Sequence, residues 1–143
     1  MIKQILTHYK KTYIVKSFKE YINNKLSLHE KYNPYGNITY RYRRNIEKKQ
    51  EWQKWIYDEN NNNTYYETSK GIVWNVLYNH DNQISLEVSN MGKYKEYKYD
   101  ELNRLISIEI GNTLSEIKPI TMKYTYDENG KRNRTYNFLM SNP

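Results

Sequence analysis

Tyr126-Asp127-Glu128-Asn129-Gly130 is the last of five short segments that share one pattern along this chain. Each segment begins with Tyr, continues with Asp or Asn, and has Asn or Gly at its fifth position. The other four are Tyr32-Asn33-Pro34-Tyr35-Gly36, Tyr57-Asp58-Glu59-Asn60-Asn61, Tyr78-Asn79-His80-Asp81-Asn82 and Tyr99-Asp100-Glu101-Leu102-Asn103. Their starts are 25, 21, 21 and 27 residues apart. An internal period of this length is typical of one supersecondary unit stacked on copies of itself.

The residue types in this pattern favour the turn of a β-hairpin. Asp or Asn at the second position can accept a hydrogen bond from the backbone two residues later. Gly or Asn at the fifth position tolerates left-handed backbone angles, and a type I turn closed by such a residue is a common hairpin connection. All five glycines of the chain are predicted to lie in turns. Gly36 and Gly130 belong to the pattern, and looser turns outside it are expected at Gly71, Gly92 and Gly111.

The composition favours strands over helices. The 143 residues include no Ala, which is the best helix former, but they include 17 Tyr and 3 Trp. Aromatic and β-branched residues favour pleated, half-buried surfaces. Because much of the apolar area belongs to Tyr rings whose hydroxyls need a partner or water, we expect a sheet with one thin core.

Alternation of residue types locates the strands. Ile38–Arg43 and Ile84–Val88 alternate with a period of two, as half-buried strands do. Ser17–Glu20 matches both a helical capping box and an alternating strand, and we favour the strand. The sequence therefore predicts an all-β fold: an antiparallel meander of about ten strands, built from repeats of this Tyr-led hairpin, that forms a curled or twisted open sheet.

We expect a single domain over residues 1–143, with a less regular N-terminal cap at 1–31 and five hairpin repeats at 32–138. The two edge strands of such a sheet need protection against pairing with other chains. Lys-rich segments near the chain ends are expected to provide it.

Two stretches around the pattern resemble the RHS, or YD-repeat, family. They are Tyr97–Ser107 and Tyr124–Lys131, and the resemblance extends over about residues 30–136. Asn replaces the family's Gly at positions 61, 82 and 103. Large members of that family form a hollow shell around a toxin, which five repeats cannot enclose. The resemblance implies a small stand-alone repeat protein that acts as a bacterial, cytoplasmic immunity protein against a cognate toxin.

Catalytic and metal-binding patterns are not found in the sequence. There is no Cys, and His8, His29 and His80 have no metal-ligand spacing. No P-loop, GxGxxG or GxSxG occurs, and no pair of carboxylates can be nominated. We therefore expect no enzymatic activity, no cofactor and no metal. With neither a signal peptide nor a long apolar run, we expect a cytoplasmic protein without membrane contact.

The predicted function is protein binding, with occlusion of a toxin domain as the specific form. Residue type alone nominates five contact residues: Arg41, Arg43, Trp52, Trp55 and Trp74. Two alternatives remain open. The net charge of +7 and the interleaved Tyr and Arg of Tyr40–Arg44 are also typical of a nucleic-acid or polyanion binder. A fragment of a larger RHS-repeat shell would carry the same repeats without a role of its own.

Overall fold

A computed structural model describes residues 1–9, 14–45, 47 and 49–138, the last three of them through their backbone only. These residues form twelve β-strands, and no helix occurs among them. The strands are β1 (Ile2–His8), β2 (Val15–Ile22), β3 (Lys25–Tyr32), β4 (Ile38–Arg44), β5 (Gln50–Tyr57), β6 (Asn63–Thr68), β7 (Val73–Tyr78), β8 (Ile84–Ser89), β9 (Lys93–Tyr99), β10 (Leu105–Asn112), β11 (Ile120–Tyr126) and β12 (Arg132–Phe138).

Strand order in the sheet follows strand order in the chain, so the fold is one antiparallel meander with β1 and β12 as its terminal strands. The predicted all-β class and meander topology are confirmed. The sheet has twelve strands where about ten were predicted, and the N-terminal segment that was expected to be less regular forms β1, β2 and nearly all of β3. Ser17–Glu20 lies in β2, so the strand interpretation of this segment is correct.

Two compact units divide the chain, Met1–Val73 and Trp74–Pro143. The first contains β1 to β6, and the second contains most of β7 together with β8 to β12. The expectation of a single domain stays a prediction.

All five patterned segments form the predicted hairpin turns. Their fifth residues have left-handed backbone angles, with φ of 85° at Gly36, 64° at Asn61, 58° at Asn82, 59° at Asn103 and 76° at Gly130. Left-handed angles are rare for residues with a side chain, and Asn tolerates them better than most. The replacement of Gly by Asn in three copies therefore preserves the turn.

Gly71 and Gly92 lie in turns as predicted, but two details of the prediction for the other glycines are wrong. Gly71 and Gly92 were expected in looser turns, but their amides close four-residue turns onto the carbonyls of Thr68 and Ser89, as in the patterned segments. Gly111 was expected in a turn and instead lies inside β10, opposite Tyr94 of β9.

The sheet has almost no enclosed core. Among the described residues, Tyr124 is the one hydrophobic residue classed as buried, and its exposed fraction is 8%. Most other strand residues are half-buried, on both faces.

The two edge strands differ in their charged residues, because β12 carries Arg132 and Arg134 whereas β1 contains a single lysine, Lys3. Lys10 and Lys11, which follow β1 closely, lie outside the described residues, so protection by Lys-rich segments near the chain ends stays a prediction.

Candidate functional site

The second residue of each patterned segment holds its turn closed. In the fourth segment, Oδ1 of Asp100 accepts hydrogen bonds from the amides of Leu102 and Arg104, at 3.0 and 2.9 Å. The other four segments have the same arrangement, in which the side-chain oxygen of the second residue accepts from the amides two and four residues later; these second residues are Asn33, Asp58, Asn79 and Asp127. The Asp or Asn at the second position of each turn therefore has a structural role, that of an Asx turn.

The leading tyrosine of the pattern links neighbouring strands. The Tyr57 hydroxyl donates to the carbonyl of Ile38 at 2.9 Å, and the Tyr99 hydroxyl donates to that of Ile84 at 2.8 Å. The Tyr126 hydroxyl likewise donates to the carbonyl of Leu105 at 2.8 Å. Each acceptor is the first residue of the preceding strand. In these three copies the repeated Tyr thus satisfies a backbone carbonyl at a strand start, whereas the Tyr32 hydroxyl of the first copy donates to Glu30 instead.

The nominated Arg41, Arg43 and Trp55 share one face of the first unit. Arg41 of β4 lies opposite Glu30 of β3 and Gln53 of β5. Side chains alternate between the two faces of a strand. Arg43, two residues after Arg41, and Trp55, two residues after Gln53, therefore project on the same side as Arg41. We call this surface the Arg41 face and define it by Glu30, Arg41, Arg43, Gln53 and Trp55.

Arg41 is fixed on this face by an acidic partner. Its Nε lies 2.7 Å from Oε1 of Glu30, and its guanidinium lies over the Trp55 ring at 5.9 Å. Burial of Glu30 raises its pKa, but hydrogen bonds from the Tyr32 hydroxyl and Arg41, with the charge of Arg43, outweigh that effect and lower the pKa below its ordinary value. Burial and the same bond to Glu30 raise the pKa of Tyr32 to about 12. Glu30 therefore stays ionised and orients Arg41.

A groove of about 320 Å³ borders the Arg41 face. Arg41, Arg43, Lys70 and Ile72 line it, and Glu51 is the acidic residue of its lining. Lys70 Nζ is 3.5 Å from Oε1 of Glu51, whereas the side chain of Arg43 makes no hydrogen bond or ion pair within the described part of the chain. The groove therefore offers exposed cationic groups beside apolar surface, and such groups can pair with carboxylates.

Two of the nominated tryptophans do not belong to the Arg41 face. Trp52 also lines the groove, but it is opposite Tyr42 in the register, so its side chain belongs to the face away from Arg41. On that second face, the rings of His29 and Tyr40 meet edge to face at 5.8 Å. Trp74 lies opposite Ser89 in the second unit.

An exposed apolar loop was missed by the sequence interpretation. Residues 113–119 connect β10 to β11, and they hold Leu114 and Ile117 with 78% and 80% of their surface exposed. The amide of Thr113 donates to the Gly92 carbonyl at 2.9 Å, and that of Leu114 donates to Oδ1 of Asn112 at 2.9 Å. We call these residues the 113–119 loop; its bonds order it although its apolar side chains face solvent.

The spacing of the repeat could have located this loop. The last patterned segment follows the fourth by 27 residues, whereas the two intervals before it are 21 residues. An insertion in one repeat maps to a loop, and in repeat proteins such loops often belong to the binding face.

The described residues contain no cluster of three or more His, Asp or Glu side chains that could hold a metal ion. In the same part of the chain, no helix has the length and apolar character needed to cross a membrane.

No model of a known protein family matches this chain, and no curated protein matches it. Among solved structures, the chain is similar to part of one described as the crystal structure of TcdB2-TccC3-Cdc42. The match has 11% sequence identity and a TM-score of 0.41, and it covers 94% of this chain. It covers 10% of the solved chain, so this chain spans about a tenth of that length. A likeness at this level supports no functional conclusion, and membership of the RHS family remains a proposal.

Proposed function

We propose that this chain is a non-enzymatic protein-binding module. The observation that carries the proposal is the near absence of a buried core: among the described residues only Tyr124 is a buried hydrophobic residue. A sheet whose two faces both remain half-exposed keeps ordered aromatic and charged side chains available to a partner. Tyr, Trp and Arg on a rigid scaffold are the residues that dominate protein–protein binding energies.

Arginine pairing favours a protein partner over a nucleic acid. Arg41 is bound to Glu30, and Arg104 is bound to Asp100 while its guanidinium lies 4.4 Å from the Tyr126 ring centroid. Arg132 lies over another tyrosine ring, at 5.0 Å. These three cations are engaged within the fold, which leaves fewer arginines to replace the counterions condensed on a polyanion.

The specific form that we propose is a YD-repeat immunity protein. In this proposal the chain acts in the bacterial cytoplasm, binds a cognate toxin domain and blocks its site sterically. The groove beside the Arg41 face and the 113–119 loop are the two surfaces that we propose for the contact. The groove suits an acidic segment of the toxin, and the loop suits an apolar depression.

The test is calorimetric titration of this chain with the protein encoded beside its own gene. A one-to-one complex that persists between about 0.1 M and about 0.5 M salt would support the proposal. Absence of a complex, together with single-stranded DNA binding that weakens steeply with salt, would contradict it in favour of the polyanion alternative.

Matched variants locate the contact. Lys70→Glu reverses a charge in the groove, and Lys49→Glu is its control, because both lysine side chains are 71% exposed and paired with a glutamate. Leu114→Ser with Ile117→Ser removes the apolar residues of the loop, and Leu102→Ser is the control at a turn tip that is 71% exposed. We expect at least one surface variant to weaken binding by about tenfold or more, and both controls to leave it unchanged.

A further inference from the structure

The terminal strand β1 is unusually open. All seven of its residues are exposed, and Ile2, Ile5 and Leu6 are apolar. β2 pairs with one side of β1 along its whole length, so the backbone N–H and C=O groups on the other side have no strand to pair with among the residues that the structure describes. A long, apolar strand in this position is a template for pairing with another chain.

The opposite terminal strand is protected. β12 carries Arg132 and Arg134, and charged side chains are a common means of preventing edge-to-edge association. β1 has Lys3 alone. The apolar surface also extends inward from β1, because Leu6 lies opposite Phe18, and both line a depression of about 520 Å³ with Val15. The contrast indicates that the β12 edge is protected against pairing with another strand, whereas the β1 edge is available for it.

We propose that β1 pairs with β1 of a second copy of this chain, antiparallel and about a two-fold axis. Centring the pairing on Ile5 places this residue opposite Ile5 of the second copy. Lys3 then lies opposite Thr7, and Gln4 lies opposite Leu6. Every residue of the strand is paired, and no two like charges are opposite each other.

A second copy fits β1 better when it presents its own β1 than when it presents its β12. Laying β12 along β1 would bring Lys3 close to a strand that already carries Arg132 and Arg134. Like charges on neighbouring strands are destabilising. A pairing of β1 with β1 also closes the assembly at two copies, because the contact about the two-fold axis uses the β1 edge of each copy and leaves no further β1 edge open. The contact is one strand long, so the dimer is weak and depends on concentration.

Sedimentation equilibrium over about 1 to 500 μM tests the proposal on the intact chain. The average mass is expected to rise with concentration from 17.6 kDa towards twice that value and no further. Ile5→Lys is expected to keep the chain monomeric. Ile56→Lys on the inner strand β5 is the control, because Ile5 and Ile56 are 38% and 44% exposed, and it is expected to dimerise as the wild type does.

Cross-linking provides a second measurement that does not depend on the lysine variant folding. The chain has no cysteine, so Ile5→Cys introduces a single thiol. Mild oxidation is expected to give a covalent dimer much faster than with Ile56→Cys, and a mixture of Lys3→Cys and Thr7→Cys chains is expected to cross-link with each other.

Three results would overturn the proposal. The first is a wild-type chain that is monomeric at every concentration while Ile5→Cys and Ile56→Cys oxidise at the same rate. The second is growth beyond two copies, which indicates pairing between unlike edges. The third is a dimer that Ile5→Lys leaves intact. None of these results bears on binding to the proposed toxin partner, so the two proposals are tested separately.

Discussion

The ring of Tyr94 occupies the space that a side chain on Gly111 would need. The two residues lie opposite each other on β9 and β10. A Cβ atom on Gly111 would lie 2.6 Å from Cε1, Cζ and the hydroxyl oxygen of Tyr94. That hydroxyl donates to Oε1 of Glu109 at 2.9 Å, which holds the ring across β10. Gly111 is therefore required by packing, and no turn is involved.

Gly111→Ala is expected to destabilise the protein by about 1–3 kcal/mol, because the ring of Tyr94 must move to admit a methyl group. Urea denaturation measures the change. In a Tyr94→Ala background the same substitution is expected to cost nothing, since the ring is gone. An equal loss of stability in both backgrounds would show that the ring is not the cause.

Tyr99→Phe is expected to cost about 0.5–1.5 kcal/mol, because the Ile84 carbonyl loses the hydroxyl that donates to it. The control is Tyr35→Phe at the exposed tip of the first patterned turn, where the free energy of unfolding should change little. Equal effects of the two substitutions in thermal melts would argue against a structural role for the repeated Tyr hydroxyl.

Asp100→Asn is expected to lower the melting temperature slightly, and Asp100→Ala is expected to lower it by several degrees. Asn keeps the side-chain oxygen that accepts two amides, as Asn33 and Asn79 do in their own turns. Ala removes that acceptor and leaves Arg104 without its carboxylate partner. Glu101→Ala, at the next and exposed position, serves as the control. A melting temperature for the Asn variant as low as for the Ala variant would be inconsistent with this account.

Acidification is expected to remove stability through Glu30. The folded-state pKa of Glu30 lies below its ordinary value of 4.5, so ionised Glu30 stabilises the fold at neutral pH. This contribution is lost as the pH falls below 4.5 and through the folded-state pKa. Glu30→Gln should be less stable than the wild type at pH 7, and the difference should shrink as the pH falls through this range. A constant difference between the two proteins across the range would refute the assignment.

His29 is expected to make the stability of the fold depend on pH in a higher range than Glu30 does. Burial, followed by the charges of Lys19 and Lys31, lowers its pKa below 6.5, so the fold favours the neutral ring. Its contribution is present above pH 6.5 and is lost as the pH falls through the folded-state pKa. Between pH 7 and 5, the stability of His29→Gln should therefore fall less steeply than that of the wild type. His80→Gln, at an exposed turn, is the control. Parallel stability curves for all three proteins would count against a role for His29.

The sequence predicted the features that depend on local chemistry. Asp100 and Asn103 identify a hairpin turn through bonds made within five residues, so no knowledge of the rest of the chain was needed. The meander followed, because each connection is too short for a crossover. Gly111 was misassigned for the opposite reason. Its role depends on Tyr94, which lies on another strand, and nothing near Gly111 in sequence reveals that contact.

The candidate contact residues show the same limit. Residue type could nominate Arg41 and Trp52, but only the register shows that their side chains project on opposite faces. The acidic partner Glu30 comes from β3, eleven residues away, and it could not be identified before the strands were aligned. The irregular spacing of the patterned segments could have located the 113–119 loop. Its apolar residues, however, resemble core residues in the sequence alone.

Pairing between neighbours in sequence has a consequence for how the protein forms. Because no ladder between the twelve described strands skips a strand, their relative contact order is low, and each hairpin can close before its successor exists. Such a chain can assemble progressively as it leaves the ribosome, with each new hairpin docking on the last. Duplication or deletion of one hairpin would lengthen or shorten the array while leaving the remaining ladders in register, which gives this architecture a simple evolutionary route to new sizes.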